Sequence, residues 1–156
     1  MRKSLPSLFT DNSCVAHAAL LCDSYQRLVG RPLLRQLSEE RLPALFHASF
    51  ALVSHGTEAD PIFNFANRTA LDLFAMSWDE FTALPSRKSA EPENREERAR
   101  LLERVTNHGY IDDYSGVRIS STGRRFLIEN AIVWNLIDDR GEYHGQAAVF
   151  DKWVYL

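Results

Sequence analysis

The last third of the chain, Gly109 to Trp153, does most to limit what it can fold into. Val117 and Ile119 alternate with polar neighbours up to Ser121-Thr122-Gly123, and Phe126, Ile128, Asn130, Ile132, Trp134 and Leu136 alternate again up to Asp138-Asp139-Arg140-Gly141. A further run follows to Trp153. Successive side chains on a strand point to opposite faces. Period-two alternation of β-branched and aromatic residues, cut by glycine-bearing turns, therefore predicts antiparallel hairpins. A meander of this kind has an apolar face that some other layer must cover.

The preceding residues supply candidates for that layer. Residues 1–12 read as a loose tail. From Ser13, the positions Cys14, Ala18, Leu21, Cys22, Tyr25, Leu28 and Val29 keep helical spacing until Gly30 and Pro32 end it. The stripe covers either the outer face of the domain's own sheet or a second subunit. Ser38, Glu39 and Glu40 suit the start of a short helix, where a hydroxyl cap and acidic groups meet the positive end of the dipole. A strand is expected around Ser49–His55, a turn over Gly56–Asp60, and a second strand at Ile62-Phe63-Asn64-Phe65. Asn67 can cap a helix over Arg68–Phe74, and Ser77-Trp78-Asp79-Glu80 is a capping box. Pro85–Pro92 reads as a polar loop. Asn94–His108 reads as a charged helix with Leu101, Leu102 and Val105 on its apolar side and Gly109 as its stop.

Composition narrows the class. At 156 residues the chain is expected to form one domain large enough for its own core. Its net charge of −3 and lack of a basic cluster argue against direct binding of nucleic acid. No apolar run approaches the roughly 20 residues of a membrane span, and Met1–Ser13 lacks the apolar centre of a secretory signal. Cys14 and Cys22, eight apart on one helix, lie about 12 Å from each other at ~1.5 Å per residue. That is too far for a disulfide between them. Thiols left reduced point to the cytoplasm.

Element order is helix, two strands, short helices, a longer helix and three strands, and that order resembles a PAS domain. The residues support the likeness. Ile62 to Phe74 resembles the PAS strand-to-helix passage, Ser77-Trp78-Asp79-Glu80-Phe81 resembles the motif after it, and Gly123-Arg124-Arg125-Phe126 resembles the later hairpin, with Thr122 in place of the usual Asp. A narrower likeness covers about residues 13–156. The strings ALVSHGTEADPIFNFANR, LPSRKSAEPENREERARLLERV and GYIDDYSGVRISSTGRRF resemble the MEKHLA domain family, found in bacterial stand-alone proteins and in plant homeodomain–leucine-zipper transcription factors. The resemblance implies an α+β, PAS-like fold: a five-stranded antiparallel sheet, helices on one face, and an N-terminal helix. Residues 13–47 would form the helical part and 48–156 the PAS core. It also implies a role in sensing or dimer regulation, without a defined ligand; a small molecule of unknown identity and a second copy of the chain, in a homodimer, are the expected partners, and catalysis is not expected. No DNA-binding segment precedes the domain, so a stand-alone role is expected.

Catalytic and cofactor signatures are weak. His55 ends a strand with no partner at a nucleophile's spacing. Asp112 and Asp113 would point to opposite faces of one strand. The five histidines (His17, His47, His55, His108 and His144) include no i, i+4 pair, so no metal site is marked. A small enzyme of ketosteroid-isomerase type would need a buried carboxyl facing the pocket, with Asp112 the candidate. Flavin photosensors of the PAS class carry a reactive cysteine after the second strand, whereas both cysteines here lie upstream. Gln146 falls one residue off the flavin-binding position. A haem ligand would be His108, which equally suits the helix C-terminus as a partner of its dipole.

An apolar pocket with a few polar anchors remains. By alternation, Asn130 shares a face with Phe126, Ile128, Ile132 and Trp134, and a buried amide needs a partner, whether backbone, water or ligand. Trp134 and Trp78 are core residues or ligand walls. Tyr114 and Arg118 share a strand face, where Arg118 either holds a carboxylate or sits at a solvated edge. Phe65 on the second strand and Arg87, contained in the family string, complete the expected ligand-binding set. A chain with no cavity beside Asn130 would instead be an interaction module.

Overall fold

Local signals set most element ends. The structure is a computed structural model that describes residues 5–34 and 40–156. Its helices are α1 (Leu5–Thr10), α2 (Asn12–Val29), α3 (Arg41–Phe46), α4 (Arg68–Phe74), α5 (Trp78–Phe81) and α6 (Pro92–His108). Its strands are β1 (Ala51–His55), β2 (Phe63–Ala66), β3 (Tyr110–Ile119), β4 (Arg125–Ile137), β5 (Tyr143–Phe150) and β6 (Lys152–Tyr155). Asp11 caps α2 by accepting from the Ser13 N–H, and Gly30 ends it at φ 87°, a left-handed conformation open to glycine. Asn67 caps α4, and Ser77 with Glu80 forms the capping box of α5.

The expected loose tail is corrected from Leu5 onward. That segment forms α1, and Leu8 is buried in the core. A lone Leu-Phe pair carries too little periodicity to mark a single-turn helix. The polar loop at 85–92 contains a turn of 3₁₀ helix at Ser86–Ser89. The start expected at Ser38 and Glu39 lies outside the described residues.

The strands form one antiparallel sheet in the order β2-β1-β5-β4-β3. β6 is the sixth strand, but it occupies no new position. It carries on along β4 in the register that β5 began, with Ile132 opposite Val149 and Glu129 opposite Lys152. The sheet is therefore five strands wide. On one face lies α2, whose Ala18, Leu21 and Tyr25 pack with Leu52, Trp134, Leu136, Ala147 and Val149. The stripe on α2 is thus covered by this chain's own sheet. On the other face α4 and α6 bring Phe74, Leu101 and Val105 against Val53, Phe126, Ile128, Val133 and Phe150.

Alternation does not run unbroken through β4. Asn130 adopts φ 52°, and the ladder to β3 carries three β4 steps (Ile128 to Ala131) against two β3 steps (Gly116 to Tyr114). This bulge reverses the phase, because one extra residue moves every later side chain to the opposite face. Phe126 and Ile128 face α6, but after Asn130 it is Ala131 and Val133 that do so, while Ile132, Trp134 and Leu136 face α2. The Asp112-Asp113 step of β3 makes the compensating shift, with Ile111 opposite Val133 and Tyr114 opposite Ala131.

Candidate functional site

A cavity of about 60 Å³ lies between the sheet and helices α4 and α6. Its walls are mostly apolar: Phe63, Phe74, Leu101, Ile128, Val133 and Phe150. Into this setting β1, β3, β5 and α6 deliver polar side chains, namely His55, Tyr114, Arg118, Gln146 and Arg98. All are buried.

Each arrives by a readable local route. Arg118, Gly116 and Tyr114 lie opposite Phe126, Ile128 and Ala131 across the β3–β4 ladder and share their face. Gly116 is required there: a Cβ on it would stand 2.0 Å from the Tyr114 hydroxyl, so any side chain would push the phenol off its seat. Gly145 is required as well, since it passes the His55 carbonyl so closely that an added Cβ would lie 2.0 Å from that oxygen, at φ 119°. Arg98 stands three and seven residues before Leu101 and Val105, on the buried face of α6.

The hydrogen bonds divide these groups. The Gln146 amide group is well supplied with acceptors: the two hydrogens on its Nε2 are shared among the Leu102 carbonyl, Thr106 Oγ1 and Asn135 Oδ1, each at 3.1 Å. Asn135 donates in turn to the Val105 carbonyl at 3.0 Å, so the pair fastens α6 to the sheet. Arg118 donates to its neighbour's carbonyl at Val117 (2.8 Å) and to the Tyr114 hydroxyl (3.1 Å), and Tyr114 donates onward to Glu97 at 3.4 Å. Burial pushes the Tyr114 phenol above its usual pKa. His55 Nδ1 bonds the Gly56 carbonyl at 3.1 Å, which only a protonated nitrogen can do, and burial lowers the ring's pKa. The neutral ring then presents a bare lone pair at Nε2, which has no hydrogen-bond partner among the described residues. Arg98 has no hydrogen bond and no ion pair among the described residues. Burial and the nearby Arg118 charge lower its pKa to about 10, leaving it cationic at neutral pH.

Of the residues expected to contact a ligand, Tyr114 and Arg118 line the cavity, with Arg118 buried rather than at a solvated edge. The others lie elsewhere. Trp134 faces α2, donating from Nε1 to Ser24 Oγ at 3.1 Å and packing edge-on against Tyr25. Phe65 is on that same face, with the half-buried Trp78 edge-on against it. Asn130 is exposed on the rim of a surface groove with Tyr25, Leu33 and Phe50, because the bulge turns it out of the expected face. Arg87 is exposed and pairs with Asp60 at 3.1 Å. Asp112 is exposed too, so it is no buried carboxyl for an isomerase. Sequence reasoning left out Arg98, His55 and Gln146 as ligand contacts. The heptad step from Arg98 to Val105 was the available signal for the first.

One other polar group resembles catalytic machinery. His17 Nε2 lies 2.8 Å from Ser54 Oγ, and Ser54 Oγ donates to Asn64 Oδ1 at 2.5 Å. With its own proton committed to Asn64, Ser54 accepts from the imidazole, the reverse of what a general base requires.

Comparison with known proteins settles the family. The MEKHLA domain model matches residues 15–155. This chain belongs to the MEKHLA domain family. It is 27% identical over 142 residues to Homeobox-leucine zipper protein HOX29 of Oryza sativa subsp. indica, a match spanning 87% of this chain and 16% of that protein. ATHB-15 of Arabidopsis thaliana is 25% identical over 142 residues, across 89% of this chain and 17% of its own length. The MEKHLA chain thus spans about a sixth of these relatives. Among solved structures, the PAS domain of a Colwellia psychrerythraea protein superposes with a TM-score of 0.63 at 15% identity, over 76% of this chain and 95% of that one. A light-oxygen-voltage domain studied with a flavin analogue gives 0.59 at 16% identity, over 74% and 83%. The fungal blue-light photoreceptor Vivid, in its light-state dimer, gives 0.56 at 14%, over 81% and 90%. The fold is PAS-like.

A flavin does not fit this site. The cavity is about 60 Å³, against ~300–1,000 Å³ for sites of drug-sized ligands. Both cysteines belong to α2, outside the cavity lining. His108 is exposed at the end of α6 and does not line the cavity either. No helix among the described residues is long and apolar enough to cross a membrane.

Proposed function

We propose that this MEKHLA domain is a regulatory sensor that holds a small molecule between its sheet and α6 and signals through contact with another protein or a second copy of itself, in the cytoplasm. One observation carries the reading: an apolar cavity into which several elements deliver buried polar groups, among them the Nε2 of His55, which has no partner, and Arg98, which makes no hydrogen bond or ion pair, among the described residues. That is the anatomy of a small-molecule site. A ligand acts only through the difference in its affinity for two states. Arg118, Tyr114 and Glu97 form a chain of hydrogen bonds from the cavity to the exposed side of α6. A ligand that draws Arg118 inward would loosen that chain and alter the helix surface shown to a partner.

Native mass spectrometry of freshly purified protein tests the reading. A bound mass lost on denaturation supports it, and the same spectrum counts subunits. Apo protein under all conditions, with no small molecule protecting it against heat, would turn the assignment to an interaction module.

A further inference from the structure

Two buried guanidiniums share the cavity. Arg98 is 8% exposed and Arg118 7%. No carboxylate lies within ion-pair distance of either among the described residues. The nearest acid in the network, Glu97, reaches only the Tyr114 hydroxyl. Arginine is almost never buried so fully without a partner. A lone charge taken out of water loses far more solvation than packing returns. Two like charges placed near each other add repulsion, and each lowers the field in which the other is stable. The arrangement is costly without a counter-charge, although Arg118 keeps its bonds to Tyr114 and Val117, and an anion between the two groups would relieve it. His55, 6% exposed, lines the same cavity, and its Nε2 acceptor has no hydrogen-bond partner among the described residues; it calls for a donor such as water beside the site and not for the anion itself.

Resting on the proposed sensory role, we infer that the ligand is a small aliphatic carboxylate, its charged head held between Arg98 and Arg118 and its short chain against Phe63, Phe74, Leu101 and Ile128. A guanidinium's planar fork matches a carboxylate's two oxygens, which makes arginine the residue for this task. The remaining walls are apolar, which suits a hydrocarbon body and disfavours a fully hydrated inorganic anion. Size sets the chain length. At ~10–15 Å³ for each water-sized group, a cavity of about 60 Å³ takes a ligand on the scale of butyrate.

The test is calorimetric titration and thermal melting of the full chain with four probes: sodium butyrate, butyramide, n-butylammonium chloride and inorganic phosphate. Butyrate should bind and raise the melting temperature, and the other three should not. Arg98→Gln and Arg118→Gln should each weaken butyrate at least tenfold while both variants stay folded by circular dichroism. Arg118→Lys should recover part of the loss. Equal binding of butyramide and butyrate would sink the carboxylate assignment and leave the pocket reading standing. So would butyrate binding that neither glutamine variant weakens, or phosphate binding as well as butyrate. If none of the four binds, the carboxylate assignment falls, and the pocket reading is decided separately by the bound mass in the native spectrum.

Discussion

The two faces of the sheet solve the same burial problem in opposite ways. On the α2 face the polar groups that enter the core find partners within the protein: Trp134 with Ser24, and His17 with Ser54 and Asn64. On the α6 face, Gln146 and Asn135 are paired, but Arg98 and the Nε2 of His55 have no partner among the described residues. Buried polar groups are nearly always satisfied in native proteins, so each exception asks for a cause. One face therefore holds the fold together, and the other retains groups without a partner among the described residues, as the proposed ligand site would.

The largest effect that could break this contrast lies on the α2 face. Trp134 is fully buried, and truncation to Ala should cost about 3–5 kcal/mol in denaturant unfolding while leaving butyrate's contacts intact in whatever fraction stays folded. A Trp134→Ala protein of unchanged stability would mean that α2 is not a structural layer.

Acid should act on the same face next. Burial lowers His17 from the usual 6.5 to about 4. Below 6.5 the unfolded chain takes up a proton that the folded chain refuses, so stability is complete above 6.5 and declines as pH falls towards 4. At ~1.4 kcal/mol per pH unit, that loss is at most about 3 kcal/mol, and less for its partial exposure. His17→Gln, which can still donate to Ser54, should flatten the decline in urea titrations between pH 7 and 4. An unaltered slope would assign the acid sensitivity to other groups, His55 first, since its pKa is lowered also.

The smallest effect sharpens where the faces exchange. Asn130→Val places a β-branched residue at φ 52° and should cost about 1–2 kcal/mol, whereas Asn130→Gly should be nearly neutral. Equal tolerance of both would mean that the bulge does not set the phase of β4.

That bulge also explains how far sequence reading reached. Capping residues, the Gly30 stop and the hairpin turns were legible because each rests on one or two residues and local geometry. The family strings carried the PAS-like fold. Face assignment in β4 was not legible past Asn130, because strict alternation assumes an unbroken ladder, and a single left-handed residue moved Trp134 from the expected pocket to the α2 core. Arg98 lay hidden for a different reason. In a helix dense with Arg and Glu, one arginine on the Leu101–Val105 face looks like another solvated charge, and only the packing of α6 on the sheet buries it. Tyr114 and Arg118 were legible as a pair because β3 itself alternates without a break from one to the other, the extra residue between Tyr114 and Gly116 lying in β4.

The most direct measurement is the unfolding free energy of ligand-free Arg98→Leu against the unaltered protein at pH 7. If Arg98 is a buried charge kept for an absent anion, replacing it with an apolar side chain of similar length should stabilise the empty fold by about 1–3 kcal/mol and remove butyrate protection. Destabilisation of the empty protein by a similar amount would show that Arg98 has its counter-charge within the fold, and the contrast between the two faces would be lost.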